Sequence, residues 1–151
     1  MPHVLAQARF ASQWFRTPIE LHELSAYDVG SLGLQFDIVL FVGVLYHLKH
    51  PLYALEKVAA VCRDTVFLMS MVRGSKGDFE PAEDYPGDEV KIFDHPDFPR
   101  LYFVEKSLNG DESNWWIATK SCLKAMARVS GFPVIEEIDH PEYLICRKGS
   151  S

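Results

Sequence analysis

Three cysteines in 151 residues, Cys62, Cys122 and Cys146, stand far apart, and no Cys-x-x-Cys pair occurs. That spacing excludes a disulfide framework and a zinc ribbon, and each cysteine sits inside an apolar pattern, as structural thiols in a reducing compartment do. No apolar run reaches the length of a membrane helix, and none follows a basic start. Basic charge is scarce too: 15 Lys and Arg against 21 Asp and Glu leave a net charge of −6, which excludes a nucleic-acid surface spread over the chain. No phosphate-binding glycine loop, no Ser, Cys or Thr nucleophile motif, no repeat and no low-complexity segment is present. The expectation is one soluble, cytoplasmic α/β domain over 1–151, long enough to bury a real core.

What is present centres on Phe36 to Pro51. After Asp37 the run Ile38-Val39-Leu40-Phe41-Val42 is apolar and rich in β-branched residues, the pattern of a strand buried on both faces of a parallel sheet. Gly43 ends it, and Tyr46 and His47 follow where the chain leaves the sheet, the place at which open α/β sheets bind ligands. Pro51 starts a helix with Leu52, Leu55, Ala59 and Cys62 at helical steps. Asp64 to Met71 is a second continuous strand, which completes a βαβ crossover.

Around this unit, Met1 to Phe15 reads as a helix with Leu5, Ala8, Ala11 and Phe15 on one face, stopped by Pro18. Ile19 to Leu24 alternates as a strand does, Ser25 to Asp28 is a turn and Gly30 to Gly33 a loop. Residues 73–113 hold eleven acidic against five basic residues, an excess equal to the whole net charge. With many Gly and Pro and little periodicity, this segment is either a functional cover or a mobile insertion. Within it, Ile92-Phe93 and Leu101 to Val104 are short strands or packed loop. Thr119 caps a helix carrying Cys122, Leu123, Met126 and Val129, and Gly131 with Phe132 ends it. Val134 to Ile138 and Tyr143 to Cys146 form a closing hairpin.

Phe36-Asp37-Ile38-Val39, Gly43-Val44-Leu45-Tyr46-His47 and Pro51-Leu52 together resemble the fourth strand and following turn of class I S-adenosylmethionine-dependent methyltransferases. Within that class the string is most similar to the branch of tRNA wobble-uridine carboxymethyl-transferring enzymes; Asn114-Trp115-Trp116 and Gly131-Phe132 resemble later landmarks. The resemblance covers nearly the whole chain but only the family's carboxyl-terminal part. The family's first strand, Gly-rich turn and second strand have no counterpart, so the resemblance implies a truncated Rossmann-like methyltransferase sheet with flanking helices.

It also implies S-adenosylmethionine as cofactor, with Ala26 and Tyr27 flanking the adenine and Val42, Gly43 and Tyr46 lining the site beside the transferred methyl. The two cofactor contacts that matter most are absent, which puts binding itself in question. Each residue has a structural alternative: Gly43 as strand terminator, Val42 and Tyr46 as core. His47 is the nearest base for an acceptor proton, or only a hydrogen-bonding support of its turn. His47 and His50 lack a third ligand, so no metal site is expected. Trp115 and Trp116 shape an acceptor pocket or pack as loop over the sheet.

Three functions follow from these readings. One is a methyltransferase-family protein acting on a small molecule or an RNA base, the acidic surface favouring the small molecule. Another is a non-catalytic remnant acting as a binding or oligomerisation module. The third is an unrelated flavodoxin-like ligand binder. In the family's sheet the first strand lies beside the fourth, so its absence leaves an open edge at Ile38 to Phe41. The expected cover is the Ile19 to Leu24 strand or a second subunit of a homo-oligomer.

Overall fold

The structure, a computed structural model, describes residues 2–88 and 90–149, with side chains from residue 6 onward. Met1 and the side chain of Leu5, both assigned above to the first helix, lie outside the described residues. Helix α1 spans Pro2–Phe15, strand β1 Phe36–Val42, helix α2 Pro51–Val61 and strand β2 Cys62–Met69. Strands β3 (Leu101–Phe103) and β4 (Trp116–Ala118) precede helix α3 (Lys120–Val129), and β5 (Val134–Glu137) and β6 (Tyr143–Arg147) close the chain.

The result is a mixed α/β fold with a central four-stranded sheet in the order β1-β2-β6-β5 and a separate β3-β4 ribbon. β1 and β2 run parallel, joined through α2, whereas β6 is antiparallel to both β2 and β5. The βαβ crossover and the closing hairpin are thus as expected. α2 starts on Pro51, whose missing N–H costs nothing in a first turn. It buries Ala54, Leu55, Val58, Ala59 and Val61, while Leu52, placed on that face from spacing, is exposed. α3 begins where the Thr119 hydroxyl accepts the Cys122 N–H at 3.2 Å. It ends at Gly131, φ +100°, with the Phe132 N–H bonded to the Ala127 carbonyl at 3.1 Å. Phe132 thereby enters a core with Leu55, Leu68, Leu123, Leu144 and Cys146.

Two expectations fail. β1 is not buried on both faces: Ile38 and Leu40 are 59% and 72% exposed, and only Phe41 is buried. Phe41 faces the core, but among the described residues Ile38, Leu40 and Val42 stay exposed on the opposite face, and β1 is the outermost strand with no partner on its far edge. Nor is Ile19 to Leu24 a strand; it is irregular and pairs with no strand among the described residues, and Ile19 and Leu24 are exposed. Alternation supplies a face, not a hydrogen-bonding partner, and this segment does not reach the β1 edge.

All three cysteines are buried and free. Burial pushes the Cys122 and Cys146 thiols up to about 11 and about 12, so both stay protonated and inert.

Residues of the acidic segment are tied to this core by charge. Lys120, nearly buried on α3, bonds Glu137 of β5 at 3.0 Å and lies 3.6 Å from Asp78. Lys124 bonds Asp78 at 2.5 Å and also pairs with Glu137. The Lys124 hydrogen bond is the largest cause that holds both carboxyls below their ordinary range, with Lys120 reinforcing it. Depressed carboxyls stabilise the fold above the unfolded carboxylate pKa, and that contribution disappears as pH falls through the folded values. Glu137→Gln is therefore expected to cost about 1–2 kcal/mol at neutral pH, scaled down for solvent screening. In urea melts the difference from wild type should shrink steadily as pH falls below the unfolded glutamate value of about 4.3; a gap that does not change with pH would remove charge as the cause.

Candidate active site

The carboxyl ends of β1 and β2 lead into a cavity of about 390 Å³ lined by Tyr46, His47, Met71, Arg73, Leu108, Asn109, Asp111 and Asn114. Gly43 ends β1 and leads toward it, with φ +73° and its N–H bonded to the Met69 carbonyl at 3.2 Å. That left-handed turn disfavours a side chain, and the Tyr46 hydroxyl stands 3.5 Å from where a Cβ would be. A short 3₁₀ turn over Leu45–His47 buries Leu45 and places the Tyr46 and His47 rings 4.3 Å apart. The Trp115 N–H bonds the Tyr46 carbonyl at 2.8 Å and holds this turn against the far end of the acidic segment.

That segment contributes the other wall. Leu108 and Asp111 exchange backbone hydrogen bonds of 3.0 and 3.1 Å across Asn109 (φ +53°) and Gly110 (φ +77°), a two-residue hairpin turn with both central residues left-handed. It delivers Asp111 and Ser113 to the histidine. The Ser113 hydroxyl donates to Asp111 Oδ1 at 2.6 Å and stands 2.9 Å from His47 Nδ1, which is also 3.2 Å from the Ser113 carbonyl. The hydroxyl and then the N–H of Ser113 hold the Asp111 carboxyl below its ordinary range. Asn114 is 5% exposed; its amide donates toward the Leu108 and Asp111 carbonyls, while its buried Oδ1 has no partner among the described residues.

Of the residues singled out from sequence, Tyr46 and His47 line this cavity, whereas Val42, the last residue of β1, and Gly43 after it are not among its lining residues. Ala26 and Tyr27 begin a 3₁₀ turn that packs on α2; the Tyr27 hydroxyl accepts the His50 N–H at 3.0 Å, and its ring meets Tyr53. Trp115 lies under Lys49, with 4.5 Å from the ammonium to the ring centre. Trp116 donates to the Lys49 carbonyl at 3.2 Å and packs on Phe103. Neither tryptophan is among the cavity-lining residues. Asp111, Ser113 and Arg73 escaped the sequence reading. The Asn109-Gly110 dipeptide, a strong hairpin signal, was the available pointer to the first two.

A larger open hollow of about 710 Å³ lies within the acidic segment, lined by Asp88, Val90, Lys91, Ile92, Asp94 and His95. Among the described residues it gathers no hydrogen-bonded set like that around His47, so the smaller cavity is the better candidate. Among the described residues no cluster of His, Cys, Asp or Glu could hold a metal, and no helix is long and apolar enough to cross a membrane.

No family model matches the sequence, and no curated protein matches it either. Solved structures do. The N-terminal domain of EvdMO1 with SAH bound is similar with a TM-score of 0.59 at 20% identity, over 95% of this chain and 58% of that one. The same domain in the presence of SAH and D-fucose gives 0.56 at 20% identity, over 95% and 59%. An O-methyltransferase family protein from Burkholderia thailandensis gives 0.63 at 13% identity, over 98% and 41%. The chain therefore spans less than two thirds of the length of the chains it matches. At such identities what is shared is the fold: this chain carries the mixed α/β sheet found in those SAH-bound and O-methyltransferase structures.

Proposed function

We propose that this chain is the acceptor-side part of an S-adenosylmethionine-dependent methyltransferase acting on a hydroxyl of a small molecule. The observation that carries the reading is the cavity at the strand ends, where His47 is held by Ser113 and Asp111 on a fold shared with SAH-bound structures. When bound, the cofactor supplies an electrophilic methyl on a sulfonium. The cavity suits the acceptor end of that reaction: His47 takes the hydroxyl proton and Tyr46 stands over Gly43, with Val42 at the end of the strand that leads there. Ala26 and Tyr27 would border the adenine.

The residues fit the cofactor in part. No Gly-rich turn approaches the methionine end, and none of the residues assigned to the site supplies an acid for the ribose. Binding by this chain alone is accordingly expected to be weak, with Kd on the order of 1 mM, about −4 kcal/mol. Calorimetric titration of the folded protein with S-adenosylhomocysteine should give saturable heat. Absence of heat at millimolar ligand overturns the reading and favours a binding module that keeps the fold without the chemistry. Activity in the presence of structured RNA but with no small hydroxylated acceptor would redirect the proposal to an RNA base.

A further inference from the structure

The cavity's hydrogen-bond chain decides more than its shape. His47 Nδ1 faces two oxygens of Ser113, the carbonyl at 3.2 Å and the hydroxyl at 2.9 Å. A carbonyl oxygen only accepts, so a hydrogen bond to it requires a proton on Nδ1. The hydroxyl agrees: its own hydrogen is committed to Asp111 Oδ1 at 2.6 Å, which leaves a lone pair toward the ring. The Ser113 N–H also bonds Asp111 Oδ1, at 2.8 Å, and fixes the carboxylate under its serine. Both acceptors at Nδ1 thus select the same tautomer.

We propose that Asp111 and Ser113 are positioning residues that hold neutral His47 in its Nδ1–H form, with Nε2 left unprotonated as the basic atom. This rests on the methyltransferase reading for its purpose, but not for its geometry. In the transfer, the acceptor O–H bond breaks and its proton goes to Nε2. With the sulfonium cofactor bound, the acceptor oxygen would form the new O–C bond as the methyl C–S bond breaks, and that electron pair would return to sulfur. His47 is then an imidazolium whose Nδ1–H points through Ser113 to the Asp111 carboxylate, which stabilises the charge as it forms. Water takes the proton when the site empties. The acidic segment thereby has a role: its Asn109-Gly110 turn carries the pair that sets the base.

The tautomer can be read without turnover. Long-range ¹H–¹⁵N correlation spectra of the uniformly labelled full chain at about pH 8, where an ordinary imidazole is neutral, resolve the histidine rings, and His47→Gln identifies the signal among six histidines. The expected result is Nδ1–H for His47, against the Nε2–H preference of a free imidazole. In the Asp111→Asn/Ser113→Ala double variant, its folding checked by the amide spectrum, the population should move toward Nε2–H. Nε2–H in the wild type overturns the proposal, and so does an unchanged Nδ1–H in the double variant, which would assign the tautomer to the backbone carbonyl alone. Failure of cofactor binding shows only in the calorimetric titration and leaves this result standing.

Discussion

Phe132→Ala is expected to destabilise the protein by about 3–5 kcal/mol and to lower its melting temperature by on the order of 10 °C. Phe132 is 1% exposed and belongs, just past the end of α3, to the same buried cluster as Leu123 of α3, Leu68 of β2, and Leu144 and Cys146 of β6. Its backbone closes α3 through the bond to Ala127, so the ring cannot slide to refill the space without reopening the helix end. The Lys148 ammonium also covers the ring, 4.8 Å from its centre. Such a loss is a large fraction of the roughly 5–15 kcal/mol that domains possess. Val129→Ala is the control: Val129 is 70% exposed on the same helix, and its loss should stay within about 0.5 kcal/mol. Equal effects from the two would mean that the core is not organised around the helix end.

His47→Gln carries the largest expected effect on activity. Methyl transfer to a hydroxyl acceptor, followed as S-adenosylhomocysteine release, should fall by about 10²–10⁴ in kcat, the usual worth of a positioned general base. Each factor of ten corresponds to about 1.4 kcal/mol of barrier. Glutamine keeps a donor that can reach the Ser113 carbonyl, so the turn that Trp115 holds through the Tyr46 carbonyl should persist and the circular dichroism should not change. The substitution therefore separates base from scaffold. A loss smaller than about threefold would reduce His47 to a support of its turn.

Several features were legible in the residues alone. The βαβ unit is local: an apolar run, a glycine, a proline-started helix and a second apolar run leave few alternatives. The same holds for the Thr119 cap, the Gly131 stop and the closing hairpin, each written in a few consecutive residues. Tyr46 and His47 could be placed at the mouth of the sheet because strand ends are where such sheets open.

Burial of β1 could not be read the same way. Ile38 and Leu40 carry the same apolar signature whether or not a neighbour exists, and the neighbour is a property of the whole sheet. Partnership of Asp111 and Ser113 with His47 joins positions separated by 64 and 66 residues, through a turn whose meaning depends on where its strand pairs hold it. Local sequence determined the βαβ unit, the last helix, the closing hairpin and the turn that carries the histidine, because those follow from short-range sterics and periodicity. Only the tertiary structure decided which strand lies open and which acidic residue stands behind the ring, because both are set by contacts between segments that no nearby residue encodes.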